Sequence, residues 1–303
     1  MKRILIVGAS SFIGSNLCVA LCRKHRVFGT YSTRKVRVDG VASFHLPITP
    51  HTELQAFVNL LKPDVLIYCA GIRDEAQCQK DPLGSLFVNA EAAAVMAGAL
   101  RPWGGRFIYF STSKIFSGNR GGYTEEDTPQ PSSAYGTTKN EGEALLDAFS
   151  NVFVLRLGTI YGMSALGQDS MLNRILASLW SHAVTPLISD EYRSFVAVED
   201  LIRFVEKVIE SPDENEGTYH VGSWVKETHF GFAKTAARVF ELPDQALRAV
   251  SGKEYAGHGF SFESRGRDLS LDSTLFANVF QISARSSEFS LRLIQNKLRL
   301  GHQ

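Results

Sequence analysis

Residues 3–14 read RILIVGASSFIG, an apolar run that ends in Gly8 and is followed six residues later by Gly14. The run predicts a buried strand at 3–7, and the apolar periodicity that follows predicts a helix at 12–23. A glycine after the strand allows a tight turn, and one at the helix start lets the backbone pack closely. The helix N-terminus then offers free N–H groups and partial positive charge to a pyrophosphate. The usual middle glycine is Ser11 here, and an ordinary β–α turn is the alternative. The predicted dinucleotide-binding residues are Gly8, Ser10, Ser11, Phe12, Ile13 and Gly14.

The same strand–helix alternation continues through the first half of the chain. Strands are predicted at 26–31, 64–70, 106–110 and 152–157, and helices at 53–61, 82–100 and 134–148. The pattern is typical of an α/β fold with a doubly wound parallel (Rossmann) sheet. Beyond it we expect a smaller α/β substrate domain with helices at 171–181, 198–209, 230–240, 273–280 and 287–298 and strands at 195–198 and 218–221. The predicted domains are 1–161, to which elements near 186–221 return, and 162–303.

Composition excludes several classes of protein. The chain has 303 residues, with Lys+Arg 32 against Asp+Glu 31 and a net charge of +1, so no global field attracts nucleic acid or an anionic membrane. No apolar run approaches a membrane span of about 20 residues, and the N-terminus lacks a signal peptide core. We therefore expect a cytoplasmic protein. Its 4 cysteines and 8 histidines show no metal-ligand spacing, and Phe260 and Phe262 are interpreted as packing residues.

The end of the second predicted strand carries Ser32, Thr33, Arg34 and Lys35 and no acid before Asp39. NAD-binding folds usually place an acid there for the ribose hydroxyls. Hydroxyls with two cations instead suit a 2′-phosphate, which arginine can bind through two hydrogen bonds. We therefore expect NADP rather than NAD, with a solvated basic loop as the alternative. Backbone at Cys69, Ala70 and Gly71, where the next strand ends, is expected to line the same cofactor.

Tyr135 and Lys139 lie four residues apart on a predicted helix, after a strand that ends in Ser111, Thr112 and Ser113. A free tyrosine has a pKa near 10, and a nearby ammonium lowers it. A hydroxyl at the strand end can hold a carbonyl oxygen for the tyrosine to protonate. The three groups predict reversible carbonyl–alcohol chemistry, and a surface tyrosine is the alternative.

At these residues the chain resembles the extended short-chain dehydrogenase/reductase superfamily, and most closely its dTDP-4-dehydrorhamnose reductase-like branch. The resemblance rests on residues 111–118 (STSKIFSG), 123–131 (YTEEDTPQP) and 135–143 (YGTTKNEGE). Weaker matches at 156–162, 193–200 and 265–272 extend it over nearly the whole chain.

The resemblance implies an NADPH-dependent reductase that delivers hydride to the C4 ketone of a nucleotide-activated 4-keto-6-deoxy sugar. In that mechanism Tyr135 is the general acid, Lys139 binds the nicotinamide ribose and Thr112 hydrogen-bonds the sugar oxygen. Arg193 and Arg265 would bind the substrate diphosphate, with surface salt bridges as the alternative. Ser113 is a further expected substrate contact, and Asn89 an expected cofactor contact or else a polar helix residue. The implied partner is the nucleotide sugar, and relatives often form homodimers.

Two departures from the branch bear on function. Its usual Asp-Tyr after the catalytic threonine is Ser113-Lys114 here, which weakens the inference that the branch's substrate applies to this chain. Dehydratases of the superfamily commonly carry Asp-Glu at this point, so Ser113-Lys114 also argues against a dehydratase. The branch commonly has an acid after its third strand, where this chain has Leu46-Pro47. This difference weakens the inference that the branch's adenine contacts apply to this chain. A sugar-nucleotide epimerase and a non-catalytic NADP-binding regulatory subunit, as in methionine adenosyltransferase, remain alternatives.

Overall fold

Strands of three to seven residues alternate with helices over most of the protein, which the computed structural model describes over residues 1–256 and 265–301. Phe260 and Phe262 lie outside these ranges. The strands are β1 (Arg3–Val7), β2 (Arg26–Tyr31), β3 (Val41–His45), β4 (Val65–Tyr68), β5 (Arg106–Thr112), β6 (Val152–Leu157), β7 (Thr159–Tyr161), β8 (Thr185–Ile188), β9 (Tyr192–Ala197), β10 (Gly217–Val221), β11 (Lys226–Thr228) and β12 (Leu247–Val250). The helices are α1 (Phe12–Leu21), α2 (Leu54–Leu61), α3 (Glu75–Lys80), α4 (Pro82–Leu86), α5 (Ala92–Leu100), α6 (Ala134–Leu146), α7 (Met171–Ser181), α8 (Val198–Glu210), α9 (His229–Phe240), α10 (Gly252–Ala256), α11 (Thr274–Phe280) and α12 (Ser287–Gly301).

The main sheet has seven strands in the order β10-β6-β5-β4-β1-β2-β3, all parallel. Ile4 of β1 is paired with Val27 on one side and with Val65 on the other. Every residue of β4 is buried. This agrees with its continuous apolar sequence, which is typical of a parallel sheet covered on both faces. The predicted doubly wound α/β fold is confirmed.

Helices cover both faces of the main sheet. On one face α1 and α8 pack through Leu17, Phe204 and Val208 against Ile4 and Ile6. The cluster on the other face includes Val58 of α2 and Met96 of α5. The sheet order reverses beside β1, so a crevice opens at the carboxyl ends of β1 and β4, where ligands of such folds bind.

The helix predicted at 82–100 is divided. Asp81 caps α4 by accepting a hydrogen bond from the Gly84 N–H, but a π-helical turn at Phe87–Glu91 separates α4 from α5. The combined stretch Pro82–Trp103 is long and apolar enough to cross a membrane, contrary to the sequence expectation. Half of it is buried, and α5 packs in the core against α2, as a core helix of a globular protein does.

The remaining strands form two small sheets, β11-β9-β7 and β12-β8. Between them and helices α7, α9 and α12 lies a third apolar cluster that includes Tyr161, Phe195, Phe232 and Leu291. The stretch 186–221 was predicted to return to the first domain. Its strand β10 joins the main sheet and its helix α8 packs on one face of that sheet, whereas β8 and β9 join the small sheets. The domain boundaries themselves stay a prediction.

Candidate active site

A cavity of about 960 Å³ opens at the carboxyl ends of β1, β4, β5 and β6. Its walls combine the β1–α1 turn, the ends of β4 and β5, the start of α6, and parts of α7, β8 and α9. The predicted site residues that line it are Ser11, Phe12, Ile13, Cys69, Ala70, Gly71, Thr112, Tyr135, Lys139 and Arg265. The structure thus brings the two predicted binding regions to one cavity.

Close contacts between backbone atoms make the β1–α1 turn tight. Gly8 has φ +80°, and a Cβ there would lie 2.7 Å from the Ala70 nitrogen. A Cβ on Gly14 would lie 2.4 Å from the Gly8 oxygen. Ser11, at the position of the usual middle glycine, caps α1 by accepting a hydrogen bond from the Gly14 N–H at 3.0 Å. Both glycines are therefore required by close backbone approach.

This turn presents free donors to the cavity. In the part of the chain that the structure describes, the backbone N–H groups of Phe12 and Ile13 have no hydrogen-bond acceptor, and both residues line the cavity. These are the first N–H groups of α1, where the helix dipole is positive. The turn fits the phosphates of a dinucleotide.

The basic segment after β2 lies beside the same turn. Ser32, Thr33, Arg34 and Lys35 are all exposed, and none of them lines the cavity. Arg34 donates from Nη2 to the Ser10 carbonyl at 3.4 Å, which places its guanidinium next to the glycine-rich turn. A phosphate bound beside that turn would be within reach of Arg34.

Asn89 contacts protein groups on all of its polar atoms. Its Oδ1 accepts from the Ile72 N–H at 2.8 Å, and its Nδ2 donates to the Ile72 carbonyl and to Thr138 Oγ1. The side chain is fully buried and does not line the cavity. Its hydrogen bonds therefore connect the segment after β4 to α6. They join residues that are far apart in the sequence.

Thr112, Tyr135 and Lys139 meet in one wall of the cavity. Thr112 ends β5, and Tyr135 and Lys139 occupy successive turns of α6, whose N-cap Ser133 accepts a hydrogen bond from the Gly136 N–H. The Glu75 carboxylate accepts from the N–H groups of Ala134 at 2.7 Å and Tyr135 at 3.3 Å. A carboxylate is favoured at a helix N-terminus, so Glu75 fixes the turn that carries Tyr135. No sequence motif predicts this role for Glu75.

The pKa of Tyr135 corrects one sequence expectation. Burial raises this pKa to about 12, while the Arg73 charge and a hydrogen bond from Thr112 lower it. The expected lowering by Lys139 is not what the structure shows. Burial also lowers the pKa of Lys139 to about 7, and the Glu143 carboxylate opposes that shift. Two buried groups with displaced pKa values in one cavity are a feature of catalytic sites.

A buried ionic network underlies this wall. The Arg156 guanidinium pairs with the Glu143 carboxylate at 2.7 Å, and Ser111 donates a hydrogen bond to Glu143. Arg156 also contacts His220, whose ring bonds the Tyr123 carbonyl at 2.9 Å. Burial and the charge of Arg156 lower the pKa of His220 to about 4. The Ser111 hydroxyl is thus engaged by Glu143, whereas the Thr112 hydroxyl hydrogen-bonds Tyr135 in the cavity wall.

The two arginines predicted for the substrate differ in placement. Arg265 lines the cavity and pairs with Glu191 at 2.9 Å. Arg193 is buried, pairs with the same carboxylate, and donates to the carbonyls of Tyr192, Arg265 and Gly266. Both terminal nitrogens of the Arg193 guanidinium are therefore engaged by the protein. Ser113 is also buried and does not line the cavity.

Several lining residues were missed by sequence reasoning, namely Arg73, Gln168, Arg174, His229 and Tyr255. Gln168 and Asp169 belong to the stretch 162–169, and Gln168 donates from Nε2 to the Ser10 carbonyl at 3.2 Å, a contact between residues far apart in the sequence. The stretch 118–133, which is rich in Gly, Pro, Ser and acids and whose length predicts a functional loop, does not line the cavity. It pairs instead with 268–272 through Tyr123 and Leu271. Among the described residues, no group of three or more His, Cys, Asp or Glu side chains could hold a metal ion.

Comparison with known proteins gives concordant findings. Residues 1–299 match the RmlD substrate binding domain family. A Streptomyces antibioticus protein, named a probable dTDP-4,6-dihydroxy-2-methyloxan-3-one 4-ketoreductase, is 30% identical over 256 residues, which cover 84% of this chain and 82% of that protein. The rat methionine adenosyltransferase 2 subunit beta is 25% identical over 270 residues, covering 84% and 77%. The crystal structure of a dTDP-4-dehydrorhamnose reductase from Bacillus anthracis str. Ames, in complex with NADP, superposes with a TM-score of 0.83 at 24% identity, covering 98% and 99%.

Proposed function

The chain belongs to the RmlD substrate binding domain family, and from this premise we propose that it is an NADPH-dependent reductase of a nucleotide-activated 4-keto-6-deoxy sugar. The observation that carries the proposal is the meeting of Thr112, Tyr135 and Lys139 in one wall of a cavity that also receives the N-terminus of α1. A carbonyl-reducing site needs both a proton donor and a bound nicotinamide nucleotide, and this cavity offers positions for both.

The residues at the α1 end of the cavity fit the cofactor. The free N–H groups of Phe12 and Ile13 suit its pyrophosphate, and the close packing of Gly8 on the Ala70 backbone holds the turn that presents them. The guanidinium of Arg34, beside Ser10, suits a 2′-phosphate, which distinguishes NADP from NAD. The NADP-bound Bacillus anthracis reductase shares this fold. When bound, the nicotinamide ring supplies the hydride that reduces the ketone.

Three side chains of the site have separate roles in the proposed reduction. Thr112 donates a hydrogen bond to the sugar oxygen, and Tyr135 gives its phenolic proton to the same oxygen as the alcohol forms. A tyrosine with a pKa of about 12 is fully protonated at neutral pH, so it is ready to act as an acid. Lys139 binds the nicotinamide ribose, and its pKa of about 7 lets it gain or lose a proton near neutrality.

The test follows nicotinamide absorbance while NADPH or NADH is offered with a panel of nucleotide 4-keto-6-deoxy sugars. Oxidation of NADPH by the wild-type protein, with loss of more than about 100-fold in Tyr135→Phe, supports the proposal. NADPH binding by Tyr135→Phe is measured in parallel, because the phenyl ring retains the packing of the site. Tight NADPH binding without oxidation of any panel member would overturn the proposed activity.

A second candidate is a non-catalytic, NADP-binding regulatory subunit. The similarity to the rat methionine adenosyltransferase 2 subunit beta over 84% of the chain favours it. This candidate predicts NADPH binding that Tyr135→Phe leaves unchanged, no turnover, and co-purification with a partner enzyme. Redox-neutral epimerisation, the remaining alternative, predicts cofactor that stays bound through purification and a change of sugar configuration without net oxidation.

A further inference from the structure

The ring of Tyr109 lies against the lysine of the proposed catalytic trio. Tyr109 belongs to β5, and its side chain is fully buried. The Lys139 Nζ lies over this ring, 3.7 Å from its centre. A cation at this distance from an aromatic face is attracted by the negative charge of the π-system. The ring therefore gives the buried ammonium a favourable contact.

The ammonium has no conventional partner in the protein. Within residues 1–256 and 265–301, Lys139 donates no hydrogen bond and forms no ion pair, although only 3% of it is exposed. The Glu143 carboxylate, one turn further along α6, is engaged by Ser111 and Arg156. Glu143 and the thiol of Cys69 act on the charge of Lys139 and oppose the effect of burial on its pKa. The Tyr109 ring thus supplies an attraction that a hydrogen-bond acceptor would otherwise supply.

The position of the ring is fixed by its own hydroxyl. Tyr109 donates a hydrogen bond to the Asn89 carbonyl, in the π-helical turn Phe87–Glu91. Tyr68, its partner in the sheet, donates to the adjacent Val88 carbonyl at 2.7 Å. Turning the Tyr109 ring away from Lys139 would break a buried hydrogen bond, which is costly. The π-helical turn therefore anchors the ring that contacts the lysine.

Gly142 provides the room for this arrangement. It lies three residues after Lys139 in α6, on the same face of the helix. A Cβ at Gly142 would collide with the Tyr109 hydroxyl and would lie 2.9 Å from the Asn89 carbonyl oxygen. The missing side chain therefore lets the Tyr109 ring reach the face of α6 that carries Lys139.

We propose that Tyr109 is a positioning residue, whose ring face holds the Lys139 ammonium at the cavity wall for the nicotinamide ribose. The inference rests on the proposed function, which assigns the ribose to Lys139. Tyr109 does not line the cavity, so it acts on the cofactor through Lys139. Because an aromatic face attracts a cation without occupying its N–H groups, the three donors of Lys139 stay available for the ribose hydroxyls.

The test measures NADPH binding by fluorescence titration between pH 6 and pH 8.5, so it does not depend on turnover. Tyr109→Leu removes the ring, whereas Tyr109→Phe keeps the ring and removes the hydroxyl. Phe107→Leu is the matched control for the loss of a buried ring, because Phe107 is 1% exposed and lies on the same face of β5 and in the same apolar cluster as Tyr109. Thermal unfolding establishes that each variant is folded.

Tyr109→Leu is expected to weaken NADPH binding by about threefold to thirtyfold, the range for loss of a desolvated cation–π contact. The ratio of its Kd to that of the wild type should also rise by about twofold or more from pH 6 to pH 8.5. The reason is that Lys139 loses its proton at a lower pH once the ring is absent. This ratio cancels the titration of the nucleotide's own phosphates. Tyr109→Phe and Phe107→Leu should lower Tm and keep the wild-type affinity at every pH.

A further protein tests the ring without changing its packing. Trifluorophenylalanine in place of Tyr109 keeps nearly the shape of the Tyr109→Phe side chain, but its fluorine atoms withdraw negative charge from the ring face. It should bind NADPH more weakly than Tyr109→Phe, again with a ratio of Kd values that rises with pH. This comparison decides the matter even if Tyr109→Leu does not fold.

Equal affinity of Tyr109→Phe and its trifluoro counterpart, or a loss of affinity in Tyr109→Leu that is independent of pH, would overturn the positioning role. Either result can occur in a protein that oxidises NADPH with a keto sugar, and the proposed function would then survive. Conversely, the expected pH-dependent loss without reduction of any sugar would support the role of Tyr109 while the reductase proposal fails. A wild-type protein that binds no NADPH would overturn the cofactor site and, with it, the role of Tyr109.

Discussion

The ammonium nitrogen of Lys139 lies 3.7 Å from the centre of the Tyr109 ring, and both side chains are buried. A cation over an aromatic face is attracted by the ring quadrupole. That attraction and the Glu143 carboxylate partly offset the desolvation of Lys139, yet the pKa still falls to about 7. Lys139 is therefore a buried lysine whose protonation changes in the physiological range, and this gives stability a measurable dependence on pH.

Lys139→Met is expected to remove part of that dependence. Lysine in the unfolded chain has a pKa near 10.4, so above pH 7 the unfolded state holds more protons at this site than the folded state. The free energy of unfolding of the wild type should accordingly rise with pH, relative to the variant, by about 1–2 kcal/mol between pH 7 and 8.5. Urea unfolding at a series of pH values measures the difference. Parallel curves for the two proteins would show that Lys139 keeps an ordinary pKa.

Gly8→Ala should destabilise the protein and weaken NADPH binding, because the new Cβ would lie 2.7 Å from the Ala70 nitrogen at a φ of +80°. Neither backbone can move without disturbing the sheet, so we expect a loss of about 3 kcal/mol or more. Gly104→Ala is the matched control, since it has φ +65° and no atom within 4 Å of the added carbon. It should cost about 1 kcal/mol and leave NADPH affinity unchanged. Similar losses in the two variants would mean that backbone conformation alone explains the requirement for Gly8.

Arg193→Met and Arg265→Met should separate stability from ligand binding. Arg193 is buried and holds three backbone carbonyls, so its loss is expected to destabilise the fold by about 3–5 kcal/mol. The Arg265 side chain is 22% exposed and lines the cavity, so its loss should cost less stability and raise the KM for a sugar nucleotide. Chemical unfolding and steady-state kinetics give the two quantities. A raised KM in folded Arg193→Met, with none in Arg265→Met, would reverse these roles.

Arg34→Met should narrow the preference for NADPH over NADH. The lost guanidinium would cost about 1.5–3 kcal/mol of NADPH binding, whereas NADH, which has no 2′-phosphate, should bind as before. Fluorescence titration with both nucleotides measures the ratio of their Kd values. Arg37→Met, an exposed residue of the same segment, should leave that ratio unchanged. An unchanged ratio in Arg34→Met would leave the basic segment as a solvated loop.

The main sheet could be predicted because its central strands have a local signature. Val65–Tyr68 is wholly apolar, and Gly8 and Gly14 mark the first β–α turn. The edge strand Val41–His45 could not be predicted, since none of its five residues is fully buried and it therefore lacks an apolar run. The strands of the small sheets are short, and their pairing depends on partners far along the chain, as in Leu247 with Thr185.

The proposed catalytic trio could be found from spacing, because Tyr135 and Lys139 share a helix face and Thr112 ends the preceding strand. Its electrostatics could not, since the pKa of Tyr135 depends on burial and on Arg73. The burial of Arg193 could not be predicted either, because it depends partly on the carbonyls of Arg265 and Gly266, which are more than 70 positions away. Glu75 and His229 carry no motif, and only their folded neighbours reveal them.

Strand β10 has a consequence for how this protein is made. It supplies the last parallel strand beside β6, yet it follows β7, β8 and β9 in the chain. The first six strands of the main sheet are therefore synthesised long before the seventh. The outer edge of β6 has unpaired peptide groups until residue 221 has left the ribosome. Bare edges of that kind recruit other strands and promote aggregation. A gene divided near residue 161 would leave the first fragment with this open edge permanently, so the two portions of the polypeptide cannot be expected to mature as independent products.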